Sequence, residues 1–282
     1  CGNITQKTQN IFVQNKGGSL SRKAMLQAAL LRGQEGLMRD DLRNLSFLPL
    51  EEPYSQLPHF HHVGEGGGER TTQEVFQRTG PDAIVDWVFV EIRDPVNPDS
   101  IIDTRAGLLQ RDGDVVDVDG QSPLRFNNLN FGSYHVAVRH RNHLGLMTKN
   151  TIVIDPFYAT PVDLANRESL SYGKDASISL MNSRALWGGD LNSDRNSIYQ
   201  GPKNDIGNLF LDVISDVENF GHLPNYIKRG YETTDFDLDG KAIFQGPDND
   251  RAKLLLEVVL RNPRNILKIS NFIVDEVLPK KN

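Results

Sequence analysis

The chain has 282 residues, a mass of 31.6 kDa, a formal net charge of −6 and a pI near 5.7, with 38% hydrophobic and 24% charged residues. This composition is typical of a globular protein with a sizeable core in one or two domains. The acidic balance argues against a nucleic-acid-binding protein, which usually has a basic face. No apolar run approaches the roughly 18 residues that a membrane-spanning helix needs. The one cysteine is Cys1, which excludes an internal disulfide and a cysteine-based metal site.

Residues 1–18 are interpreted as a polar N-terminal tail or tether. A cysteine at the head of such a stretch is typical of a bacterial lipoprotein, so we expect acyl chains on Cys1; the alternative is a boundary that happens to fall at a cysteine. Ile11, Phe12 and Val13 form a short apolar run between polar flanks. Such a run suits docking on an exposed sheet edge, either of the same chain or of a neighbouring copy in a repeating assembly.

Residues 19–158 carry mostly β signals. The segment 83–92 is the strongest predicted strand, because it is β-branched and aromatic almost throughout. Asp112-Gly113 lies between two apolar segments and predicts a hairpin turn. Further strands are predicted at 23–30, 101–111, 114–118, 134–139 and 151–154. Five to seven short strands separated by turns indicate a β-sandwich domain.

The chain repeats itself in its last third. Residues 159–183 show no sustained period and are interpreted as a linker or crossing segment, which leaves 184–282 as a second domain. Within that domain, 190–205 aligns without gaps to 235–250, an offset of 45 residues. An apolar stretch of helical character follows each copy, at 206–214 and 252–260. Such self-similarity is typical of a duplicated supersecondary unit.

Each copy begins with oxygen-bearing side chains at alternate positions. In an EF-hand loop, side chains at positions 1, 3 and 5 and the carbonyl at position 7 surround Ca²⁺. The candidate Ca²⁺ ligands are therefore Asp190, Asn192, Asp194, Asn196 and Asp205 in the first loop, and Asp235, Asp237, Asp239, Lys241 and Asp250 in the second. Asp205 and Asp250 replace the acidic residue usual at position 12. The first loop is expected to bind more weakly, because Arg195 stands where the second has Gly240. The alternative is a pair of Asx-turns that cap two helices, but unneutralised carboxylates so close together would repel one another.

The tandem units resemble dockerin-type calcium repeats, in the variant with Y/F-Q-G-P-x-N-D after the loop, here 199–205 and 244–250. The front half resembles a module found at the C-terminal ends of large secreted or surface proteins of Bacteroidetes-type bacteria. The segments that carry this resemblance are 37–54, 84–94, 106–120 and 134–148. The resemblance implies a secreted protein with a β-sandwich and calcium repeats, and it implies no catalytic role.

Other residues could point to an enzyme or to a second metal site. The histidines His59, His61, His62, His135, His140 and His143 form two groups that could bind zinc. We favour structural hydrogen bonds, since adjacent side chains diverge on an extended backbone and 139–143 follows a predicted strand. The acidic segment 112–119 is interpreted as hairpin turns, and 64–68 as a flexible glycine turn that lacks the Lys-Ser/Thr of a phosphate loop. An exposed Trp187 could stack on carbohydrate.

We therefore predict a mainly β fold, an Ig-like or prealbumin-like β-sandwich followed by a small α domain of two calcium loop–helix repeats. The predicted function is that of a non-catalytic, calcium-stabilised structural or adhesive protein of a bacterial surface. The alternative is a glycan- or protein-binding module accessory to a secreted enzyme system. Partners are expected to be copies of the chain or a larger cell-surface complex, with contact to the outer membrane only through a lipid on Cys1.

Overall fold

The computed structural model describes residues 16–31, 33–34, 36–180 and 182–279. Cys1 and the apolar run Ile11, Phe12 and Val13 lie outside the described residues. Lipid attachment and docking of the tail therefore stay predictions.

The molecule is mainly β, as predicted. Its strands are β1 (Lys16–Lys23), β2 (Ile84–Arg93), β3 (Ile101–Gln110), β4 (Asp114–Val116), β5 (Leu124–Asn130), β6 (Gly132–His140), β7 (His143–Met147), β8 (Ile152–Ile154), β9 (Ala159–Asp163), β10 (Ser177–Ser179), β11 (Arg184–Leu186), β12 (Asn196–Ile198), β13 (Ile227–Arg229), β14 (Lys241–Ile243) and β15 (Ile273–Asp275). The helices are α1 (Asp41–Asn44), α2 (Asp205–Ile214) and α3 (Asp250–Lys253), and α3 continues as a π-helix over Leu254–Val259. Short 3₁₀ turns lie at Gln27–Ala29, Tyr54–Gln56, Val75–Gln77 and Gly80–Asp82.

A nine-stranded sheet forms the front half, in the order β5-β1-β4-β3-β2-β6-β7, with β8 paired to β6 and β9 paired to β1. All of its strand pairs are antiparallel except β1–β9. Strand β2 is buried along all ten residues; since successive side chains point to opposite faces, both faces of the sheet are covered at this strand. On one face Tyr54 donates a hydrogen bond to the carbonyl of Trp87 (2.7 Å), so loop residues cover the sheet there.

The segment 23–30, predicted as a strand, has a different structure. β1 ends at Lys23, and a 3₁₀ turn follows at Gln27–Ala29. Tertiary contacts produce the turn: the Gln27 amide donates to the carbonyl of Glu257 (2.7 Å) and accepts from the N–H of Gly188 (3.1 Å). Periodicity within eight residues carries no information about partners so distant in sequence.

The sequence after β6 fastens the acidic loops to the large sheet. Asp86 on β2 is fully buried and accepts hydrogen bonds from Arg141 Nε (3.0 Å) and the Tyr231 hydroxyl (2.5 Å), while His140 Nε2 lies 3.1 Å away. Burial raises the pKa of Asp86, but the charge of Arg141 and the bonds from His140 and Tyr231 lower it to about 2. The carboxylate is therefore ionised at neutral pH and joins the sheet to Tyr231 of the repeat region.

Two further hydrogen bonds hold the loops themselves. The Asn142 amide donates to the carbonyl of Asp235 (2.6 Å), and the Ser193 hydroxyl donates to the carbonyl of Arg141 (2.6 Å). His143 is buried and accepts from the N–H of Ala28 through Nε2 (3.2 Å), and burial lowers the pKa of its ring. His140 and His143 thus make structural hydrogen bonds.

Across the described part of the chain, no helix is long and apolar enough to cross a membrane.

Candidate metal sites

The two acidic loops have the same backbone path. Corresponding residues adopt positive φ at four positions: Ser193 and Leu238 (60° and 62°), Arg195 and Gly240 (75° and 80°), Gly201 and Gly246 (139° and 140°), and Lys203 and Asp248 (56° and 53°). Most L-residues avoid positive φ, so four matched occurrences indicate that the two loops share one conformation. The sequence repeat is therefore also a structural repeat.

Asp205 and Asp250 close the loops in the same way. Each is the first residue of a helix, and each carboxylate accepts two backbone N–H groups from the preceding loop. The donors are Leu191 and Ile198 in the first loop and Phe236 and Ile243 in the second, at 2.7 to 3.1 Å. The preceding asparagines, Asn204 and Asn249, cap the two helices through their side-chain oxygens (2.7 and 2.9 Å). Sequence position alone offered these aspartates as substitutes for position 12, and the structure places both inside the loops.

The first acidic residue of each loop also lies inside it. Asp190 accepts the N–H of Arg195 (3.0 Å), and Asp235 accepts the N–H of Gly240 (2.8 Å). Asp235 is fully buried, and Asp190 is nearly so. One oxygen of Asp190, Oδ1, is buried and accepts no hydrogen bond.

In the second loop three carboxylates converge. Ligand oxygens of Asp235, Asp237 and Asp250 all lie within 4.8 Å of one another. Two oxygens on opposite sides of one Ca²⁺ are about 4.8 Å apart, since Ca–O bonds are about 2.4 Å long. Asp239 lies beside this group, and its buried Oδ1 accepts no hydrogen bond. These residues can hold a metal ion.

The environment of this cluster favours a bound cation. Burial raises the pKa of Asp235, and the neighbouring Asp250 raises it further. Burial likewise raises the pKa of Asp250 to about 8, although the charge of Lys253 lowers it. Two cations lie against Asp237: Lys253 Nζ is 2.8 Å from one of its oxygens, and Arg39 Nη1 is 2.7 Å from the other. Lys253 Nζ also lies 3.7 Å from Asp250, and the charge of Arg141 acts on Asp235. Because the pKa values of Asp235 and Asp250 are still raised, these cations offset the carboxylates only in part, and a divalent cation would compensate the remaining charge.

The first loop also contains two buried carboxylates, Asp190 and Asp205, but it has Asn192 where the second loop has the third carboxylate, Asp237. Burial raises the pKa of both Asp190 and Asp205, and Asp205 raises that of Asp190 further. Asn192 Oδ1 accepts the N–H of Asp194 (3.0 Å), and Asp194 Oδ1 accepts the N–H of Asn196 (3.0 Å). These contacts are the Asx-turns considered as the alternative interpretation, so Asn192 and Asp194 are engaged locally.

Position 7 of each loop begins a short strand that pairs across the repeat. Asn196 opens β12, which pairs with β15, and Lys241 opens β14, which pairs with β13. β13 and β15 follow the two helices and begin at corresponding residues, since Ile227 and Ile273 each end an Asn-aromatic-Ile triplet, at 225–227 and 271–273. The strand after each helix therefore pairs with the loop of the other repeat, and the two loops form one unit.

Arg195 keeps the left-handed conformation that Gly240 adopts freely. Its Nε pairs with Glu276, a residue on the buried side of the C-terminal segment, and its Nη2 donates to the carbonyl of Leu278 (3.2 Å). Replacement of the expected glycine therefore changes the charge near Asp190 but not the path of the loop.

Arg39 and Lys253 are not among the site residues predicted from the sequence. Lys253 follows Asp250 by three residues on a helix, a spacing that brings side chains together, so it could have been found. Arg39 is 198 residues from Asp237, and no sequence pattern joins them.

Two other candidates have structural roles. Trp187 is 2% exposed and donates its indole N–H to the carbonyl of Asp175 (3.0 Å), so it offers no stacking platform. In the acidic segment 112–119, Asp112 and Asp114 pair with Lys23, and Asp119 accepts the N–H groups of its own turn.

No protein-family model matches the chain, and neither the curated proteins nor the solved structures contain a significant match.

Proposed function

We propose that the chain is a non-catalytic structural or adhesive protein of a bacterial surface, stabilised by Ca²⁺ in its two C-terminal loops. The proposed architecture is a β-sandwich, formed by the large sheet, that carries a paired loop–helix unit. The observation that carries the proposal is the duplicated pair of buried carboxylates, Asp190 with Asp205 and Asp235 with Asp250. A buried carboxylate without a compensating charge is strongly destabilising, and the same arrangement occurs twice.

Calcium is the proposed ion because the donors are oxygens on flexible loops, which suit a hard cation of variable coordination. Modules that bind Ca²⁺ outside the cell commonly have dissociation constants of roughly 10⁻⁴ to 10⁻³ M. An extracellular location would keep such sites occupied. The fused geometry of the two loops, joined by β12–β15 and β13–β14, supports a rigid spacer or attachment element rather than a sensor that opens.

Thermal unfolding of the full chain tests this function. A cation that binds only the folded protein adds about 2.7 kcal/mol at a hundredfold excess over its dissociation constant, which corresponds to a Tm increase of about 5–10 °C. We expect this increase with CaCl₂, its loss with EGTA, and no comparable effect of MgCl₂. An identical melting curve in CaCl₂ and EGTA would reject the proposal.

A binding module for glycans or proteins is the second candidate, and one surface feature favours it. Phe131, Phe157 and Tyr158 are 62%, 70% and 76% exposed. Strand register brings them to one end of the sheet, since Lys16 of β1 pairs beside Asn130 and Ser19 pairs with Ala159. Exposed aromatic side chains are typical of contact surfaces. Alanine at Phe157 and Tyr158 should abolish binding to glycan arrays or to a second copy if this end binds a ligand, and leave Ca²⁺ binding unchanged.

A further inference from the structure

A second group of metal-binding side chains lies far along the chain from the acidic loops. Ligand atoms of Glu52, His62 and Glu69 all lie within 4.8 Å of one another. Glu52 and Glu69 are buried, and His62 is largely buried, with 13% of its side chain exposed. His62 lies two residues before the glycine-rich segment 64–68, which the sequence predicts to be a flexible turn.

Hydrogen bonds hold both carboxylates in place. Glu52 Oε2 accepts the N–H of Tyr54 (2.7 Å), and its Oε1 accepts the N–H of Gly68 (3.1 Å). Glu69 Oε2 accepts the N–H of Gly67 (2.9 Å). Ligand carboxylates in metal sites are typically oriented by such outer contacts.

Close packing requires glycines in this segment. A Cβ at Gly66 would lie 2.2 Å from the backbone carbonyl oxygen of Thr104 and 2.8 Å from His62 Nδ1, and a Cβ at Gly67 would lie 3.2 Å from the ring carbon Cγ of His62. Gly67 also has a φ of 107°, which L-residues rarely adopt. The loop is therefore packed against the imidazole, which limits the positions of the ring.

The surroundings of Nδ1 are compatible with a tautomer that leaves Nε2 available to a metal. The Thr104 hydroxyl lies 3.0 Å from the carbonyl of Val63 and 3.4 Å from His62 Nδ1. If the hydroxyl donates to the carbonyl, its oxygen can accept a proton carried by Nδ1, and this tautomer leaves the lone pair of Nε2 available to a metal. Nε2 is buried and has no hydrogen-bond partner.

That lone pair faces carboxylates. Nε2 lies 3.5 Å from Glu52 Oε2, which is long for a hydrogen bond. Two ligands of one tetrahedral zinc ion are about 3.4 Å apart, since Zn–N and Zn–O bonds are about 2.1 Å. Arg105 Nε lies 3.1 Å from Glu69 Oε1 and its Nη2 lies 3.5 Å from Asp117, so its charge is shared and does not neutralise both glutamates.

We propose that Glu52, His62 and Glu69 form a binding site for a zinc-class divalent cation, separate from the acidic loops. A nitrogen donor beside two carboxylates matches the ligand preference of zinc and leaves a fourth position for water. Bound zinc would join Glu52 to the two residues that flank the glycine-rich segment, His62 and Glu69. Nothing in the site requires Ca²⁺ in the acidic loops, so the two proposals are independent.

Isothermal titration of the full chain with ZnCl₂, in saturating CaCl₂ to occupy the acidic loops, tests the site. We expect one zinc per chain in the wild type and in His61→Ala, whose exposed ring is the matched control. His62→Ala and Glu69→Gln should abolish this binding. Thr104→Val removes the acceptor at Nδ1 and should weaken zinc roughly 10- to 100-fold.

Glu69→Gln keeps the size and shape of the side chain, and circular dichroism checks that each variant is folded. Nitrogen chemical shifts of His62 provide a second readout, because zinc on Nε2 and a proton on Nε2 give different shifts. The proposal is overturned if the wild type binds no zinc, if His62→Ala binds it as well as the wild type, or if Nε2 remains protonated in zinc-saturated protein.

Discussion

Arg195 combines backbone strain with a buried ion pair, and these two contributions to stability have opposite signs. A non-glycine residue in the left-handed region costs about 1–2 kcal/mol. Its guanidinium pairs with Glu276, whose side chain is only 2% exposed and also accepts the N–H of Gly145 (2.7 Å). Arg195→Gly relieves the strain but leaves Glu276 without its closest cation.

We expect Arg195→Gly to tighten Ca²⁺ binding in the first loop by about fivefold, because loss of one partly exposed cation near Asp190 is worth about 1 kcal/mol. The metal-free variant should be no more stable than the wild type. Lys203→Gly is the matched control for strain, since Lys203 also has positive φ (56°), and it should raise stability. Calcium titration and thermal unfolding measure the two effects. Weaker Ca²⁺ binding in Arg195→Gly would contradict this account of the loop.

Asp237 is the most exposed member of the converging carboxylates, with 14% of its side chain accessible, and it contacts both nearby cations. Asp237→Ala should abolish Ca²⁺ binding in the second loop and leave the first loop able to bind. Asp114→Asn is the control, because Asp114 is also an alternating aspartate but pairs with Lys23 outside the loops. Equal calcium stoichiometry in Asp237→Ala and the wild type would show that the cluster is not a site.

The loop–helix element predicts an unusual pH dependence. Burial raises the pKa of Asp250 to about 8 in the folded protein, whereas an unfolded Asp has a pKa of about 3.9. Between these values the folded protein holds a proton that the unfolded chain has lost, so metal-free stability falls as pH rises. The slope for one such carboxyl is about 1.4 kcal/mol per pH unit. Asp190, Asp205 and Asp235 shift in the same direction.

Melting temperatures in calcium-depleted buffer at pH 5 and pH 8 check this dependence. We expect a lower Tm at pH 8, and recovery on addition of CaCl₂, since the cation replaces the bound protons. Buried His143, whose pKa is lowered, contributes the opposite sign only below about pH 6.5, the pKa of an unfolded histidine. A Tm that rises from pH 5 to pH 8 without calcium would mean that the buried carboxylates are compensated by the protein itself.

Elements with strong local signals were predictable from sequence. The segment 83–92 is found as β2, and Asp112-Gly113 lies in the turn between β3 and β4, because β-branched content and turn chemistry act within a few residues. The first acidic residues of the repeats were predictable from spacing. The cross-pairing of β12 with β15 was not, since the sequence repeat shows which segments are alike but not which of them are partners.

Long-range contacts explain the remaining differences. β9 lies in a segment without a clear period, and it becomes a strand by parallel pairing with β1, more than 130 residues away. Glu52, His62 and Glu69 were equally hidden, because irregular segments bring them together. The glycines that follow His62 were the available signal, and sequence alone favoured a flexible turn.

Asp86 connects the large sheet to the repeat unit of the C-terminal loops. Asp86→Asn should destabilise the protein by about 3–5 kcal/mol, because it leaves the buried Arg141 without its anion. Glu51→Gln breaks an exposed pair with Arg70 and should change stability by less than about 1 kcal/mol. Chemical denaturation measures both. If Asp86→Asn uncouples the large sheet from the repeat unit, the variant should unfold in two transitions instead of one. A variant as stable as the wild type would exclude a structural role for the contact between Asp86 and Arg141.

Calcium titration of the full chain by isothermal calorimetry is the decisive test of metal binding in the two loops. We expect two Ca²⁺ per chain in the wild type, one in Asp250→Asn and one in Asp205→Asn, with tighter binding at the second loop because three carboxylates converge there. The absence of calcium binding in the wild type, or two sites retained in Asp250→Asn, would contradict this expectation.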